Sequence, residues 1–517
     1  MKRIMLIAAV ASLVLNGSLV AGEARPKTHP YVVIPKHRLA PQASTSWTVA
    51  NLCKAYNFPT NLTGNGVIGI LEFGGGWRQS DLDQFSSLNG LPKITVTNVS
   101  IDGTQNNPGV DPNADAEVAL DIQAAAASYY YCTGKMPTIK VFFSGGDFVN
   151  TFKAAVSANC SVLSISWGAN ESAWQTQAPG YAQSVESAAQ SAAASGLVIL
   201  AASGDNSSSD GTSGTNVDLP SACPHIIACG GTSKTTTSEV VWGDGVATDW
   251  GTGGGFSRVF PVQSFQVGAP QAPAGLGRMV PDIAAVADPY TGVNVVVGGQ
   301  VMQIGGTSLV APFYSGFFAA AGSKLGFVTP LLWQNKTAFT DILKGSNGAY
   351  SAATGPDPCT GLGAPNGTAI AKLFAPSNIV KVNYNTSTKT LTLTGDANAN
   401  SISISLSGST MTLQAKSPTL LTFSTNSGTA GAPAASATIS SVSGNVVVTG
   451  NLADGNDSIS LTGLAISTLT LALGTGNDSA SLSYCTIGTS AIDGGTGTDT
   501  LTTASTKITT NKNTNFP

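Results

Sequence analysis

Leu197-Val198-Ile199-Leu200-Ala201-Ala202 is a short apolar run that follows the Ala-rich segment Ala182 to Ala194. The run has the length and β-branched content of a fully buried strand, whereas the Ala-rich segment is typical of a helix. The same two patterns recur in Gly66 to Leu71, Ala114 to Tyr129 and Ile139 to Phe143. Strands that alternate with helices predict an α/β fold, with a parallel sheet covered by helices on both faces.

The composition changes after Pro376, where Thr, Ser, Asn and Gly dominate and apolar residues alternate with polar ones, as in Thr390 to Thr394. An alternation with a period of two predicts strands rather than helices. We therefore expect an α/β domain over residues 44–375 and a separate all-β domain over residues 378–517.

The C-terminal region contains a repeat, because Asp457, Asp478 and Asp499 recur every 21 residues within Gly-rich segments. A fixed period with glycine turns and short strands predicts a parallel β-roll or β-solenoid with one coil per repeat. The units resemble the RTX-type Gly-Gly-x-Gly-x-Asp repeat, which binds calcium. Calcium at these three aspartates and a metal-free solenoid are the two interpretations.

The N-terminus has the pattern of an export signal, because Lys2-Arg3 precede the apolar run Ile4 to Leu15. Residues 1–24 are predicted to be a signal peptide, with a buried N-terminal strand as the alternative. The mature protein is then secreted, and it is extracellular or associated with the cell surface. Residues 25–43 are Pro-rich and polar, which indicates a short pro-segment or linker.

Composition excludes several classes of partner. Only 10% of the 517 residues are charged, and the formal net charge is -4, which argues against nucleic-acid binding. After the signal, no stretch reaches the ~20 apolar residues that a membrane helix needs, so we expect no membrane span. The seven cysteines contain no Cys-x-x-Cys pair, and we expect one or two disulfides, with Cys223 and Cys229 as a candidate local bridge.

A candidate nucleophile stands in Gly305-Gly306-Thr307-Ser308-Leu309-Val310-Ala311-Pro312, where a serine follows a glycine turn and opens an expected helix. A nucleophilic serine needs a base, which is usually a histidine. Of the three histidines, His29 and His37 lie near the N-terminus, and His225 enters an apolar strand, where we expect a packed or surface role. The base of Ser308 is therefore expected to be a carboxylate, which points to an acidic working pH.

Glu117 and Asp121 are the candidate base pair, because they lie four residues apart on the Ala-rich helix and share one of its faces. Two neighbouring carboxyl groups resist double ionisation, so the pair holds a proton into moderately acidic pH. Such a pair can act as a general base toward a serine hydroxyl. The alternative is a solvated helix face, although the other residues of the segment are mostly apolar.

Asp205 follows the strand Leu197 to Ala202, at the sheet edge where α/β proteins place their sites. In its protonated form it could donate a hydrogen bond to a developing oxyanion. The alternative is an Asx turn that closes the strand.

Asp341 and Asp357 lie about sixteen positions apart, with a Gly-rich backbone between them. Side-chain and carbonyl oxygens in such a loop can bind a hard cation.

Residues 44–375 resemble the sedolisin (serine-carboxyl peptidase) family, which has a subtilisin-like fold. The resemblance rests on several motifs in the family's order and spacing: Glu117-x-x-x-Asp121, Ser164-Ile165-Ser166-Trp167-Gly168-x-x-Glu171, Ser203-Gly204-Asp205, Gly253 to Ser257, Gly305 to Ser308 with Ala311-Pro312, and Asp357 to Gly363.

The resemblance implies a role for each matching residue. Ser308 is the nucleophile, Glu117 the base, Asp121 the carboxylate that orients Glu117, and Asp205 the oxyanion-hole acid. Glu72 and Trp167 resemble an outer hydrogen-bonded chain of some members. The family's single calcium would be bound by side chains of Asp341 and Asp357 and by carbonyls of Ile342, Ala353 and Gly355.

Two features depart from the family pattern. Members usually carry a long N-terminal propeptide, whereas about twenty residues separate the predicted signal from the domain here. The repeat-bearing C-terminal region is not a family feature either.

The preferred hypothesis is a secreted serine-carboxyl endopeptidase, which hydrolyses peptides and proteins in acid through a Ser-Glu-Asp triad. The alternative is a non-catalytic surface or matrix protein, in which the first domain is a scaffold and the C-terminal region binds cell-surface or matrix material. A neutral enzyme that depends on His225 is a third candidate.

Overall fold

The structure, a computed structural model, describes residues 25–34, 46–243, 250–374, 378–426, 428, 430–431 and 433–516. The signal peptide predicted over residues 1–24 lies outside the described residues, as does part of the predicted pro-segment. The chain divides into two compact units, residues 1–374 and 375–517, which are called the peptidase-like unit and the repeat unit below.

Helices of the peptidase-like unit include the two Ala-rich segments singled out in the sequence. Their bounds are α1 Val49–Ala55, α2 Gln79–Asn89, α3 Pro112–Thr133, α4 Phe148–Ser157, α5 Glu171–Gln177, α6 Tyr181–Ala194, α7 Thr307–Ala321, α8 Thr329–Gln334 and α9 Gly367–Phe374. Short 3-10 helices cover Ser207–Ser209 and Lys336–Ala338.

Strands of the same unit alternate with those helices over its first half. Their bounds are β1 His29–Pro30, β2 Val67–Glu72, β3 Val96–Ser100, β4 Thr138–Phe143, β5 Val162–Ile165, β6 Trp167–Asn170, β7 Val198–Ala202, β8 Asp218–Leu219, β9 Ile227–Lys234, β10 Glu239–Val241, β11 Gly255–Phe256, β12 Met279–Val280, β13 Ile283–Val286, β14 Val293–Val297, β15 Gln300–Ile304, β16 Phe339–Thr340 and β17 Ala364–Pro365.

The central sheet has the order β10-β9-β7-β5-β2-β4-β3, and β13 also pairs with β9. These pairs are parallel except β10–β9, which is antiparallel. Alternate residues of β2 enter different cores: Ile70 packs with α3 and α7, whereas Leu71 packs with α4 and α6. Helices therefore cover both faces, and the predicted α/β fold with a subtilisin-like sheet is confirmed.

Helix α7 lies unusually close to α3. A Cβ on Gly316 of α7 would stand 2.4 Å from the Ala125 carbonyl oxygen of α3. The Ser128 hydroxyl of α3 also donates to the Phe313 carbonyl of α7, at 2.8 Å. This close packing fixes the start of α7 against the face of α3 that carries the two acidic residues.

The expected disulfides are wrong, because the cysteines are free thiols in the interior. Each one packs as a small apolar side chain, as buried cysteines commonly do. The seven are Cys53, Cys132, Cys160, Cys223, Cys229, Cys359 and Cys485. Within the described ranges, no helix has both the length and the apolar character needed to cross a membrane.

Strands make up the repeat unit. They are β18 Ile379–Asn385, β19 Thr390–Thr394, β20 Ser401–Ser407, β21 Thr410–Ala415, β22 Leu420–Thr425, β23 Ser436–Ile439, β24 Val446–Asn451, β25 Ser458–Thr462, β26 Ala465–Ala472, β27 Ser479–Ser483, β28 Thr486–Asp493, β29 Thr500–Ala504 and β30 Lys507–Asn511.

Two sheets run along this unit, in the orders β22-β18-β19-β24-β26-β28-β30 and β23-β21-β20-β25-β27-β29. Successive strands from β24 onward enter the two sheets in turn, and each pairs in parallel with the strand two places later. Ile459 lies beside Ala480, and Ala480 lies beside Leu501, so the pairing has the 21-residue period of the sequence. The expected all-β, solenoid-like C-terminal region is confirmed.

Candidate active site

Polar side chains gather where the parallel strands of the central sheet end. Glu72 is the last residue of β2, Ser166 follows β5, and Asp205 lies three residues beyond β7. Because β2, β5 and β7 are neighbouring parallel strands, their carboxyl ends lie at one edge of the sheet. Residues that are distant in the sequence therefore meet there.

Helices α3 and α7 bring the serine and its acidic neighbours to this edge. Ser308 is the second residue of α7, and its hydroxyl donates to Glu117 Oε2 at 2.8 Å. Glu117 and Asp121 lie one turn apart on α3, and both are fully buried. The structure thus joins Ser308 to a carboxylate.

Asp121 is held from the sheet side. The Ser166 hydroxyl lies 2.9 Å from both carboxylate oxygens of Asp121, so it can donate to either. Nearby, the Trp167 indole N–H donates to Glu72 Oε2 at 2.8 Å. Sequence reasoning missed Ser166 as a functional candidate, although it stands beside Trp167 in a matched motif.

Three carboxyl groups share one buried environment. Burial raises the pKa of Glu117 well above its usual range, the neighbouring charges of Asp121 and Glu72 raise it further, and the bond from Ser308 opposes the rise. Burial also raises the pKa of Glu72 and of Asp121, and bonds from Trp167 and Ser166 respectively counteract it. Such a cluster retains protons at a pH where exposed carboxyl groups are ionised.

Asp205 is held by Thr307, the residue before Ser308. The backbone N–H and the hydroxyl of Thr307 both donate to Asp205 Oδ1, each at 2.8 Å. The other oxygen, Oδ2, is buried without a hydrogen-bond partner among the described residues. Burial raises the pKa of Asp205 to about 7, against the opposing effect of the Thr307 bonds. The side chain is therefore protonated in acid, and its unpartnered oxygen can then donate a hydrogen bond.

Further buried acids extend from Asp205, and sequence reasoning missed them. Asp210, Asp218 and Glu171 are each at most 3% exposed. Burial raises the pKa of all three, that of Asp210 to about 8. Glu171 stood in a matched motif, but the signal for Asp210 and Asp218 is weak, because aspartates in Gly- and Ser-rich loops are usually turn residues.

The predicted calcium residues come together in one loop. Asp341 accepts from the Gly355 N–H at 2.7 Å, and Asp357 accepts from the Ala353 N–H at 3.0 Å. In the described part of the chain, no hydrogen bond ends on the carbonyls of Ile342, Ala353 or Gly355. Two carboxylates and three free carbonyls form an all-oxygen donor set, which fits a hard cation such as calcium.

The repeat-unit aspartates form a ladder rather than a cluster. Asp457 accepts from the Asn400 N–H at 2.7 Å, Asp478 from the Asp457 N–H at 2.7 Å, and Asp499 from the Asp478 N–H at 2.8 Å. Among the described residues, no three acidic, His or Cys side chains lie close enough to bind a metal ion. Calcium in this unit stays a prediction, and the observed bonds explain the 21-residue aspartate spacing without it.

His225 is occupied away from Ser308. Its Nδ1 and its backbone N–H both bond to the carboxylate of Glu186, and its ring packs beside that of Phe327. These contacts agree with the packed role expected from the sequence.

Known proteins resemble the region that carries this site. Residues 132–342 match the subtilase family. The chain is 40% identical over 367 residues to kumamolisin of Bacillus sp. (strain MN-32), a match that covers 65% of each chain. It is 30% identical over 387 residues to sedolisin of Pseudomonas sp. (strain 101), covering 66% of this chain and 64% of that one.

A solved structure is also similar to this region of the chain. Pseudomonas sedolisin complexed with two molecules of pseudo-iodotyrostatin aligns with a TM-score of 0.57 at 27% identity, covering 64% of this chain and 98% of that chain. The chain thus spans just under two thirds of the length of the curated relatives named above.

Proposed function

Because the chain belongs to the sedolisin family, we propose that it is a secreted serine-carboxyl endopeptidase that cleaves peptides and proteins in acid. The hydrogen bond from the Ser308 hydroxyl to Glu117 Oε2 carries the proposal, because it joins a nucleophile to a base without an imidazole. His225 is engaged by Glu186, which disfavours the histidine-dependent alternative.

Acyl transfer uses the residues in the following roles. Ser308 Oγ attacks the peptide carbonyl carbon while Glu117 takes the hydroxyl proton. Asp121, held by Ser166, keeps the Glu117 carboxylate oriented. Glu117 then gives the proton to the leaving amine, and a water activated by the same carboxylate hydrolyses the acyl-enzyme. Asp205 Oδ2 donates to the oxyanion in both steps, because Oδ1 is already held by Thr307.

Activity depends on pH through two groups of acids. Asp205 must be protonated in order to donate, so activity falls as the pH rises through its pKa of about 7. Glu117 must be able to accept a proton, so activity also falls when the pH is low enough for its whole cluster with Asp121 and Glu72 to be protonated. A bell-shaped profile on the acidic side of neutrality follows.

Peptide hydrolysis between about pH 2 and 8 tests this proposal, with casein as the substrate. We expect activity in acid from the wild type and a loss of roughly 10³-fold or more in kcat/KM for Ser308→Ala. Ser315→Ala is a matched control on the same helix, since its hydroxyl is buried without a partner in the described structure. A scaffold protein, the alternative from the sequence, would show no difference between the wild type and Ser308→Ala.

Calcium is proposed for the loop of Asp341 and Asp357, with the carbonyls of Ile342, Ala353 and Gly355 completing the donor set. When bound, the ion would hold this loop together by charge. Thermal unfolding in calcium and in a chelator tests the assignment, because the wild type should unfold at a lower temperature after chelation. Asp341→Asn should reduce the difference, and equal unfolding temperatures for the wild type would contradict the site.

A further inference from the structure

A short glycine-rich segment, residues 251–255, bonds to the backbone of the loop that carries Asp205. The Gly251 N–H donates to the Asp205 carbonyl at 2.9 Å, and the Gly253 N–H donates to the Gly204 carbonyl at 2.7 Å. The position of the proposed oxyanion acid therefore depends on this segment, which we call the glycine segment.

The glycine segment fits between two loops only because Gly253 and Gly254 lack side chains. A Cβ on Gly253 would stand 1.8 Å from the Ser203 carbonyl oxygen, and a Cβ on Gly254 would stand 2.2 Å from the Pro358 carbonyl oxygen. The Ser203 hydroxyl also donates to the Gly253 carbonyl at 2.9 Å. The segment thus contacts the loop of Asp205 through Gly253 and the loop of Pro358 through Gly254.

Asn347 joins the glycine segment to the loop of Pro358. Its side chain is fully buried, and Nδ2 donates to the Gly254 carbonyl at 3.4 Å and to the Pro358 carbonyl at 3.2 Å. Oδ1 accepts from the Tyr350 N–H at 3.3 Å, so the amide is used at both ends. Buried carbonyls need a donor, and this one amide group supplies it to both.

The backbone of Asn347 reaches the loop of Asp205 directly. Its carbonyl accepts from the Ser208 N–H at 2.8 Å, and Ser208 lies three residues after Asp205. The preceding residue, Ser207, donates from its N–H to the Gly251 carbonyl at 2.9 Å. Asn347 therefore bonds to the glycine segment through its side chain and to the loop of Asp205 through its backbone, while these two segments bond to each other.

We propose that Asn347 is a positioning residue of the peptidase reaction, which holds the glycine segment against the loop of Asp205 and so keeps the Asp205 carboxyl group aimed at the oxyanion. The inference rests on the proposed function, because it deepens the role given there to Asp205. In the described structure Asn347 bonds to no residue of the triad, so it acts through the backbone alone. Without its amide, the Gly254 and Pro358 carbonyls lose their donor, and the two loops can separate until water replaces it.

The protonation of Asp205 shows how tightly its loop is held, because burial raises the pKa of this carboxyl group to about 7. The charge of Asp205 in turn raises the pKa of the titratable groups around it, which are Tyr31, Glu117, Asp210 and Asp218. Among the described residues, Asn347 bonds to none of these four. A loosened glycine segment therefore acts on Asp205 through hydration, which lowers its pKa toward the ordinary 3.8.

Casein hydrolysis by Asn347→Ala, measured as kcat and KM between about pH 2 and 8, tests the inference. We expect kcat at the optimum to fall by roughly tenfold with KM changed by less than about twofold, because the oxyanion contact forms only in the transition state. The alkaline limb of the profile should move to lower pH, since hydration lowers the pKa of Asp205, while the acidic limb stays in place. Excess calcium in every assay keeps differences in cation binding out of the comparison.

A double substitution shows whether Asn347 acts through Asp205. In an Asp205→Ala background the acid that Asn347 positions is absent, so adding Asn347→Ala should lower kcat by less than about twofold. Losses that multiply would show that Asn347 acts independently of Asp205, and they would overturn the inference.

Asn347→Asp provides a conservative replacement. In acid its protonated carboxyl group keeps an acceptor and one O–H donor, so kcat there should lie closer to the wild type than in Asn347→Ala. As the pH rises, the carboxyl group ionises and loses that donor, so the alkaline limb should again move to lower pH. Thermal unfolding shows whether the alanine variant folds. If it does not, the aspartate variant decides the test, and an alkaline limb at the wild-type pH would count against Asn347.

Asn400→Ala is the matched control. It also removes a fully buried amide that donates to backbone carbonyls, but this amide lies in the repeat unit. Its kcat and both limbs of its profile should equal those of the wild type.

Casein also separates this inference from the proposed function. If the wild type hydrolyses casein in acid but Asn347→Ala keeps the wild-type kcat, or loses activity with both limbs in place, Asn347 is not a positioning residue and the peptidase function stands. If the wild type hydrolyses no casein at any pH, the peptidase function fails and this inference fails with it.

Discussion

Buried carboxyl groups are used in opposite ways by the two units. In the peptidase-like unit, Glu72, Glu117 and Asp121 crowd together at a sheet edge, where the charge of Asp121 raises the pKa of both glutamates and that of Glu72 raises the pKa of Glu117 further. In the repeat unit, Asp457, Asp478 and Asp499 are also at most 2% exposed, but each accepts a backbone N–H from another coil or strand.

The difference lies in what the carboxylate oxygens face. Glu117 accepts a bond from a hydroxyl that can lose its proton, so the cluster can perform acid–base chemistry. The ladder aspartates bond to backbone amides, which do not exchange protons in a reaction. Burial alone therefore does not identify a catalytic acid. The group that donates to the buried carboxylate oxygen determines whether the carboxylate can take part in acid–base chemistry.

The largest effect is expected from removing the proton acceptor of Ser308. Glu117→Gln preserves the shape of the side chain but cannot take the serine proton, so kcat/KM in acid should fall by roughly 10³-fold or more. Hydrolysis of casein measures the loss. Glu186→Gln is the matched control, since that carboxylate bonds to His225 and should leave activity near the wild-type level. Equal activity of the two variants would exclude Glu117 as the base.

Substitutions of Asp205 should give the next largest loss of activity, and they should also change the shape of the pH profile. Asp205→Ala removes the proposed oxyanion donor and should lower kcat by about 10²- to 10³-fold. Asp205→Asn can still accept from Thr307 and donate from its amide nitrogen at every pH, so it should lose less activity than the alanine variant. Its rate should also lack the fall that the wild type shows near pH 7.

The pH profiles of both Asp205 variants check this assignment. A wild-type profile without a fall between pH 6 and 8 would contradict it, as would an asparagine variant that keeps such a fall.

The sequence predicts the parts of the site that follow a period or a motif. Glu117 and Asp121 share a helix face because they are four residues apart, and Asp205 follows a buried strand, so both positions can be inferred from local patterns. The solenoid is likewise predictable, since its 21-residue register is a spacing within the chain itself.

Long-range placement could not be predicted from local patterns. Asp218 contacts Tyr31 across 187 residues, and Ser166 contacts Asp121 across 45, which no local pattern specifies. The expected disulfides are wrong, because the number of cysteines does not show whether two thiols lie close enough to form a bond. Strand β1 could not be predicted either, because its partner strand β6 is distant in the sequence.

Glu72 should show a smaller effect, since it touches Trp167 rather than Ser308. Glu72→Gln removes one acid from the cluster, and with it a charge that raises the pKa of Glu117. The acidic limb of the activity profile should therefore move to lower pH, with a loss of about tenfold or less at the optimum. Trp167→Phe removes the hydrogen bond that opposes the raised pKa of Glu72, so Glu72 stays uncharged to higher pH and the same limb should again move to lower pH. Limbs that stay in place in both variants would show that Glu72 does not influence Glu117.

The aspartate ladder of the repeat unit should affect the stability of that unit rather than peptidase activity, and the effect should be modest. Burial raises the pKa of Asp457 to about 7, above its ordinary 3.8, so the folded state prefers the protonated form. The stability that this preference gives is fully present below pH 3.8 and is lost as the pH rises through about 7. Asp457→Asn keeps the oxygen that accepts from Asn400 and carries no charge, so its stability should vary less over this range.

Hydrogen exchange of the strands on either side of Asp457 in the full chain measures that stability at pH 4 and pH 8. Wild-type protection should be lower at pH 8, after correction for the intrinsic exchange rate, and Asp457→Asn should restore it. Asp454→Asn is the matched control, because that exposed aspartate bonds to Thr475 at the surface and should leave the pH dependence unchanged. If Asp457→Asn weakens protection at both pH values, the ladder needs the carboxylate itself, and the contrast with the catalytic cluster would lie in geometry rather than in charge.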